Sequence, residues 1–370
     1  MLPKDEQKKF YEIALSLVPD VGPKTVRVLL TQYSTAEEIF KASVKDLAKS
    51  IRITEARAKM FRNKEILKTA EQEFEYAQKQ NISILFLTDE HYPQRFLNCD
   101  DSSVLLYFKG NANLNEQKML AIIGTRKNTD YGQRATEDLI DGLSEVNNLI
   151  VVSGLALGID SVAHKVALKK GLQTIGVLGH GLDCIYPSSN YQLAQEMMTQ
   201  GGLLTEFPTK TKMIRHNFPV RNRIVAGMCD ATVIVESEVK GGAMITAYVA
   251  HSYNRDVCAF PGRSYDNKSS GPNLLIKRNI ASLINGSSDL LDVMNWGERA
   301  AKKAIQKPLF LALTTDEQRI YDTLKDKDAL HADELSYQSG FSSAQLAAML
   351  LQMEMQGIIK ALPGKRYRLD

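Results

Sequence analysis

Eight short runs of aliphatic residues, separated by turns and helical stretches, constrain this chain more than any other feature. They are Ile82–Leu87, Val104–Phe108, Met119–Ile123, Leu149–Val152, Thr174–Leu178, Gly202–Thr205, Ala231–Val235 and Val257–Phe260. A strand with one wet face alternates apolar and polar residues, and these runs do not alternate. Both of their faces must therefore be covered. Strands of that kind with helices between them give a parallel sheet wrapped on both sides, a doubly wound Rossmann-like α/β domain over residues 80–296.

The flanks read differently. Residues 1–75 are helical, and Leu15–Leu30 reads as helix, tight turn, helix. Gly22 is expected to take the positive φ of that turn. Pro23 is expected to open the second helix, where its missing N–H costs nothing. This is the pattern of a helix-hairpin-helix, whose turn amides can hold a DNA phosphate. A weaker copy without the glycine lies in Asp46–Phe61. A helical adaptor that packs or recruits partners fits the same residues.

A lysine-bearing linker, AAKKAIQKP, leads to a third region at 308–370. Thr315–Leu324, His331–Ser339 and Ser342–Gln356 read as helices, with Ser342-Ser343 capping the last. Ile358–Leu369 reads as two strands about Pro363-Gly364, and three helices followed by such a hairpin make a winged helix. The third helix would enter a major groove in a DNA reader. Here it carries no Arg or Lys. Lys360, Lys365, Arg366 and Arg368 of the wing are candidates for phosphate contact, and a protein-binding or dimerisation role is equally open.

No apolar run approaches the length of a membrane span, and the charged start MLPKDEQKKF lacks a signal-peptide core. A cytoplasmic protein is expected. Cys99, Cys184, Cys229 and Cys258 are far apart, which points to buried free thiols rather than a disulfide or metal framework. The net charge of +3 permits a nucleic-acid partner without requiring one.

The chemistry gathers at strand ends. After Met119–Ile123 comes Gly124-Thr-Arg-Lys-Asn-Thr-Asp-Tyr-Gly132, a glycine loop opening a helix. Its N–H groups are expected to point at an anion from the positive end of a helix dipole, with Thr125 and the Arg126 guanidinium beside them. The next strand ends in Ser153-Gly154, and its helix carries Asp160 and His164, expected to hold each other one turn apart. A third loop holds Gly241-Gly242. Between them, Ile214–Ile224 supplies Arg215, His216, Phe218, Arg221, Asn222 and Arg223. Cations interleaved with an aromatic suit a single-stranded backbone with a base stacked nearby. Arg223 as an internal ion pair and Phe218 as a core residue are the competing readings.

Common nucleotide and catalytic signatures are missing. There is no G-x-G-x-x-G with a ribose-binding acid, no G-x-x-x-x-G-K-[ST] and no G-x-S-x-G elbow around Ser153. Asp160 and His164 lack a third metal ligand at suitable spacing. No cofactor, metal or catalytic residue is expected. The surviving enzymatic alternative is a Rossmann-like protein that cleaves nucleoside monophosphates, with Glu236 and Glu238 as its carboxylates. Its usual P-G-G-x-G-T loop reads KGGAMIT here, without the proline or the third glycine.

The ordered run GTRKNTDYG, SGLALGIDSVAH, TIGVLGHGLDCIYPSSN, FPVRNRIVAG, GGAMITA, FPG and SGPNLLI resembles the DprA/Smf family of DNA-processing proteins over about 200 residues. The resemblance implies non-catalytic, sequence-independent binding of single-stranded DNA. It further implies protection of incoming strands during natural transformation and their delivery to the RecA recombinase. A homodimer through the Rossmann-like domain is implied as well. By motif, Arg126 and the arginines of FPVRNR are the expected DNA contacts. Thr125 and Thr129 depart from serines common in the family. Ile280-Ala281 replaces a common glycine after Asn279, so the helix is expected to continue there.

Overall fold

The computed structural model describes residues 3–49, 54–297, 313–325, 327, 329–355, 358–362 and 365–369. Two compact units divide the chain, Met1–Gly297 and Glu298–Asp370.

The first unit begins with α1 (Lys4–Ser16), α2 (Pro23–Gln32), α3 (Ala36–Lys41), α4 (Val44–Lys49), α5 (Glu55–Met60) and α6 (Lys64–Lys79). Thr35, Thr54 and Asn63 start α3, α5 and α6 by accepting from N–H groups of the first turns. Pro23 opens α2, but the glycine expectation fails. Gly22 is extended, with φ −87° and ψ 178°, while Asp20 takes the left-handed conformation at φ 58°. A short Asx side chain tolerates that region, so the turn needs no glycine. The turn of the second copy, residues 50–53, lies outside the described residues. Ile13, Leu15, Val26, Leu29 and Ile39 are buried in one core with the apolar residues of the sheet. Lys24 pairs with Asp100 at 3.1 Å, and Arg27 donates to Leu97 O and Ser102 Oγ at 2.5 and 2.7 Å. The hairpin's cations thus tie it to the neighbouring sheet domain.

The sheet domain follows as β1 (Ser83–Phe86), α7 (Gln94–Leu97), β2 (Leu105–Gly110), β3 (Lys118–Ile123), α8 (Asp130–Gly142), β4 (Leu149–Ser153), α9 (Ile159–Lys169) and β5 (Gln173–Val177). It continues through α10 (Tyr191–Thr199), β6 (Gly201–Thr205), α11 (Asn217–Met228), β7 (Ala231–Ile234), α12 (Gly242–Ser252), β8 (Asp256–Ala259), α13 (Ser270–Lys277), β9 (Ser282–Leu283) and α14 (Ser287–Met294). The strand order is β1-β2-β6-β5-β4-β3-β7-β8-β9. Successive residues of β3 serve opposite cores. Met119, Ala121 and Ile123 pack with Ile224, Val225 and Met244, whereas Leu120 and Ile122 pack with Leu139, Ile159 and Ala163. That is why the run does not alternate.

Two expectations are corrected. The sheet is mixed, because β1 and β2 pair antiparallel with each other and β2 pairs antiparallel with β6. Only the four-residue α7 separates β1 from β2, too little helix for a parallel crossover. The helix near Asn279 does not continue either. It ends at Lys277, Asn279 turns left-handed at φ 55°, and Ser282–Leu283 joins the sheet beside β8.

From β3 the chain winds outward through β4, β5 and β6, then returns to β7 on the other side of β3. The carboxyl ends of β3 and β7 therefore flank the point where the winding reverses, where open α/β sheets bind ligands.

The second unit holds α15 (Thr315–Leu324), β10 (Leu330–His331), α16 (Ala332–Ser339), α17 (Ser343–Met355), β11 (Ile359–Leu362) and β12 (Arg366–Leu369). Thr314 and Glu317 form a capping box on α15. Ser342 Oγ accepts from the Gln345 N–H at 3.4 Å at the start of α17. Ile320, Leu335, Leu346, Leu350 and Met353 form its core. This is a winged helix with strand order β10-β12-β11. The linker at 300–308 and the Pro363-Gly364 turn lie outside the described residues. No helix among the described residues is long and apolar enough to cross a membrane.

Candidate nucleic-acid interface

A cleft of about 820 Å³ opens at the switch point. The loops after β3, β4 and β7 form its floor, and α11, α12 and Lys268 complete its walls. Gly124, Thr125, Arg126, Gly154, Arg215, Phe218, Arg221, Asn222, Gly241 and Gly242 all line it. Residues more than a hundred positions apart in the sequence meet here on one surface.

Three expected residues lie elsewhere. Ser153 is fully buried and donates from Oγ to Ile122 O at 2.7 Å, so its hydroxyl is occupied within the sheet. His216 is exposed just ahead of α11 and outside the cleft lining. Arg223 pairs with Glu206, donates to Asp101 O, and stacks over Phe96 at 5.4 Å. The internal-ion-pair reading is the one this geometry carries. Residues two apart on a helix project about 200° apart, so Arg221 and Arg223 cannot share a target.

The loops also differ from an amide cradle, because internal carboxylates use their N–H groups. Glu236 is fully buried; it accepts from the Thr129 N–H at 2.9 Å and the Thr129 hydroxyl at 2.5 Å. The Thr125 N–H is also occupied, by the main-chain carbonyl of Glu236 at 2.7 Å. Asp160 accepts from the Gly154 and Ala156 N–H groups at 3.1 and 3.4 Å. Those carboxylates take up N–H groups that a nucleotide's phosphates would otherwise need. Asp160 therefore does not pair with His164. The Thr174 hydroxyl donates to Val151 O, which leaves its oxygen to accept from His164 Nδ1 at 2.7 Å.

The positive charge comes instead from side chains. Arg126 is exposed, with its guanidinium 5.4 Å from the Phe218 ring centre. Tyr186 tilts against the same ring, with centroids 6.1 Å apart. Phe218 is half-buried, so it both packs and faces the cleft. Arg215 and Lys240 are exposed and have no carboxylate partner among the described residues. Lys268 pairs with Glu238 at 2.7 Å. The α12 helix starts at the cleft without a side-chain cap, which adds the positive end of its dipole.

Arg221 lies deepest. Only 4% of it is exposed; it donates to Val177 O, and its Nε has no partner. Burial lowers its pKa to about 10, the buried Asp160 carboxylate pulls it upward, and Arg126 pushes it down further. Burial likewise raises the Asp160 carboxyl, which the neighbouring Arg221 partly offsets. An anion placed between Arg126 and Arg221 would relieve the repulsion between them.

Lys240, Lys268, Tyr186 and Met213 belong to the lining but were not singled out in the sequence. Lys240 directly precedes Gly241 and was the one with a readable signal. Among the described residues no cluster of three His, Cys, Asp or Glu side chains forms a metal site. Cys99, Cys229 and Cys258 are buried free thiols, and Cys184 is half-buried.

A family model described as DNA recombination-mediator protein A matches residues 83–295, the stretch that builds this cleft. The chain belongs to the DprA/Smf family. Further models match the flanks of this family member. A SAM-like helix-hairpin-helix tandem covers 12–60, and a DprA winged helix domain covers 306–365. It is 30% identical to Protein Smf of Synechocystis over 97% of its own length and 98% of that protein's. It is 37% identical to the DNA processing protein DprA of Streptococcus pneumoniae over 59% of this chain and 75% of that one. The crystal structure of the pneumococcal DprA aligns with a TM-score of 0.66 and 30% identity, over 79% of this chain and 98% of that one. DprA of Helicobacter pylori, studied for its single-stranded DNA binding mode, aligns at 0.52 with 32% identity, over 58% and 95%.

Proposed function

We propose that this protein binds single-stranded DNA without sequence preference in the cleft at the β3/β7 switch point, and does no chemistry on it. The observation that carries this is the charge of the cleft. Arg126, Arg215, Arg221, Lys240 and Lys268 face only Asp160 and Glu238, and Asp160 is already engaged with backbone N–H groups. Phosphates bind the cations, and bases stack on Phe218 beside Tyr186. The relation to a DprA studied for single-stranded DNA binding supports the choice of polymer. In the cell, a cytoplasmic homodimer protects incoming strands during natural transformation and hands them to RecA. Oligothymidylate and a mixed-sequence strand should bind with similar affinity, resist a single-strand nuclease when bound, and load RecA faster than naked strands.

The nucleoside monophosphate-cleaving alternative needs a free carboxylate. Glu236 is occupied by Thr129, and Glu238 is paired with Lys268. Release of free base from nucleoside monophosphates incubated with the protein would favour that enzyme.

A further inference from the structure

The wing, in the second unit of the chain, carries another concentration of charge. In the β11–β12 hairpin, Lys360 lies directly opposite Arg368, and Leu362 opposite Arg366. These four side chains share one face of the hairpin, because alternate residues of a strand point the same way. Ile359 and Leu369 take the other face and reach the core. Lys360, Arg366 and Arg368 are all exposed.

Like charges directly opposite on a sheet destabilise it. Nothing among the described residues offsets this cost. None of the three cations has an ion-pair partner there. Glu354 reaches the hairpin but accepts from the Ala361 N–H at 3.3 Å. Arg366 makes one long contact, to Ala329 O at 3.4 Å. Protection of a sheet edge by lysine would account for Lys360, since β11 is an edge strand. It does not account for Arg366 and Arg368, because β12 is the central strand. Exposed Lys365 adds a fourth cation directly before β12, and it too has no ion-pair partner among the described residues.

We infer that this face of the wing binds the phosphate backbone of duplex DNA, independently of sequence. Arg366 and Arg368 are spaced about 7 Å along the strand, with Lys360 about 5 Å across from Arg368. Three cations at that pitch match a polyanion with a charge about every 3.4 Å along each strand. Tyr367 projects to the opposite side, and the one ring on this face among the described residues is His331, opposite Arg366 and held by Asp333 at 3.4 Å, so the face offers no free aromatic platform for the bases of a single strand. The α17 helix, SAQLAAMLLQMEM, has no cation to contact a groove. Backbone charge is what remains, and a duplex offers the denser array.

The test uses the full chain, with Lys360→Gln, Arg366→Gln and Arg368→Gln combined, against a short blunt duplex and against oligothymidylate. The sites are exposed strand positions. A thermal melt, together with Lys360→Arg, Arg366→Lys and Arg368→Lys as a charge-retaining control, separates lost folding from lost charge. Duplex affinity should fall about tenfold or more near 0.1 M salt, and the log–log salt slope should become shallower by about 2–3. The charge-retaining variant should bind duplex as wild type does, and oligothymidylate binding should be unaffected. Wild-type duplex affinity and slope in the glutamine variant overturn the inference, as does a wild-type chain that ignores duplex but binds an acidic peptide through the wing. If oligothymidylate binding fails while the wing result holds, the cleft reading is the one that falls.

Discussion

The Arg221 guanidinium lies against the Gly154 α-carbon, so closely that a methyl group at Gly154 would overlap its Cζ and both terminal nitrogens. Gly154 is therefore a packing residue for a buried cation. Gly154→Ala should displace Arg221, cost about 1–3 kcal/mol of stability as an overpacked site does, and weaken binding of single strands. Urea unfolding and fluorescence anisotropy with oligothymidylate read the two effects. Unchanged binding by a stably folded Gly154→Ala variant would remove Arg221 from the interface.

Arg223 should behave differently from its neighbour two residues away. Its partners are Glu206, Asp101 O and the Phe96 ring. Arg223→Ala is expected to lower stability by about 1–3 kcal/mol by leaving the half-buried Glu206 carboxylate with the Ser103 hydroxyl but no cation. Single-strand affinity, measured below the melting transition, should stay within about twofold of wild type.

Glu236→Gln probes the structural use of that carboxylate. The amide keeps the shape but loses charge-assisted bonds to Thr129. A loss of about 1–3 kcal/mol is expected in thermal or urea unfolding, with strand affinity little altered. Base release from a nucleoside monophosphate that is present in the wild type and lost in this variant would instead make Glu236 a catalytic acid.

His164 gives the protein an acid-sensitive arm. Burial, with a lesser push from Arg221, lowers its pKa to about 3. The unfolded chain takes up that proton near pH 6.5, and the folded chain does so only near pH 3. The stabilisation is thus complete above about pH 6.5 and is lost as pH falls toward 3, by up to about 1.4 kcal/mol per pH unit. His164→Asn should flatten this part of the urea-stability profile between about pH 6 and 4. Comparison with wild type cancels most other groups, including Asp160, whose raised pKa acts in the opposite direction. Parallel profiles for the two proteins would mean that His164 titrates normally.

The sequence was most legible where one physical rule acted alone. Met119–Ile123 and Leu149–Val152 announced buried strands because both faces of each are covered. Ser342 announced a helix start through a bond that spans three residues. The antiparallel edge was hidden, since β1 and β2 are as apolar as the parallel strands. Within the cleft, the loops and Arg126 were readable, but the choice between DNA contact and internal ion pair for Arg223 was not. It depends on Glu206 and Phe96, which approach from other elements. The occupied amides were equally hidden, because Glu236 reaches Thr129 across 107 residues.

The most direct measurement of the cleft is the salt dependence of oligothymidylate binding by wild type and by Arg126→Ala, Arg215→Ala and Lys240→Ala combined. All three side chains are exposed and none has an ion-pair partner among the described residues, so folding should survive. If each meets a phosphate, the log–log slope becomes shallower by about 2, at about 0.7 per contact on a single strand, and affinity falls alike for every base composition. A slope and affinity equal to wild type would contradict a phosphate-binding cleft built from these side chains.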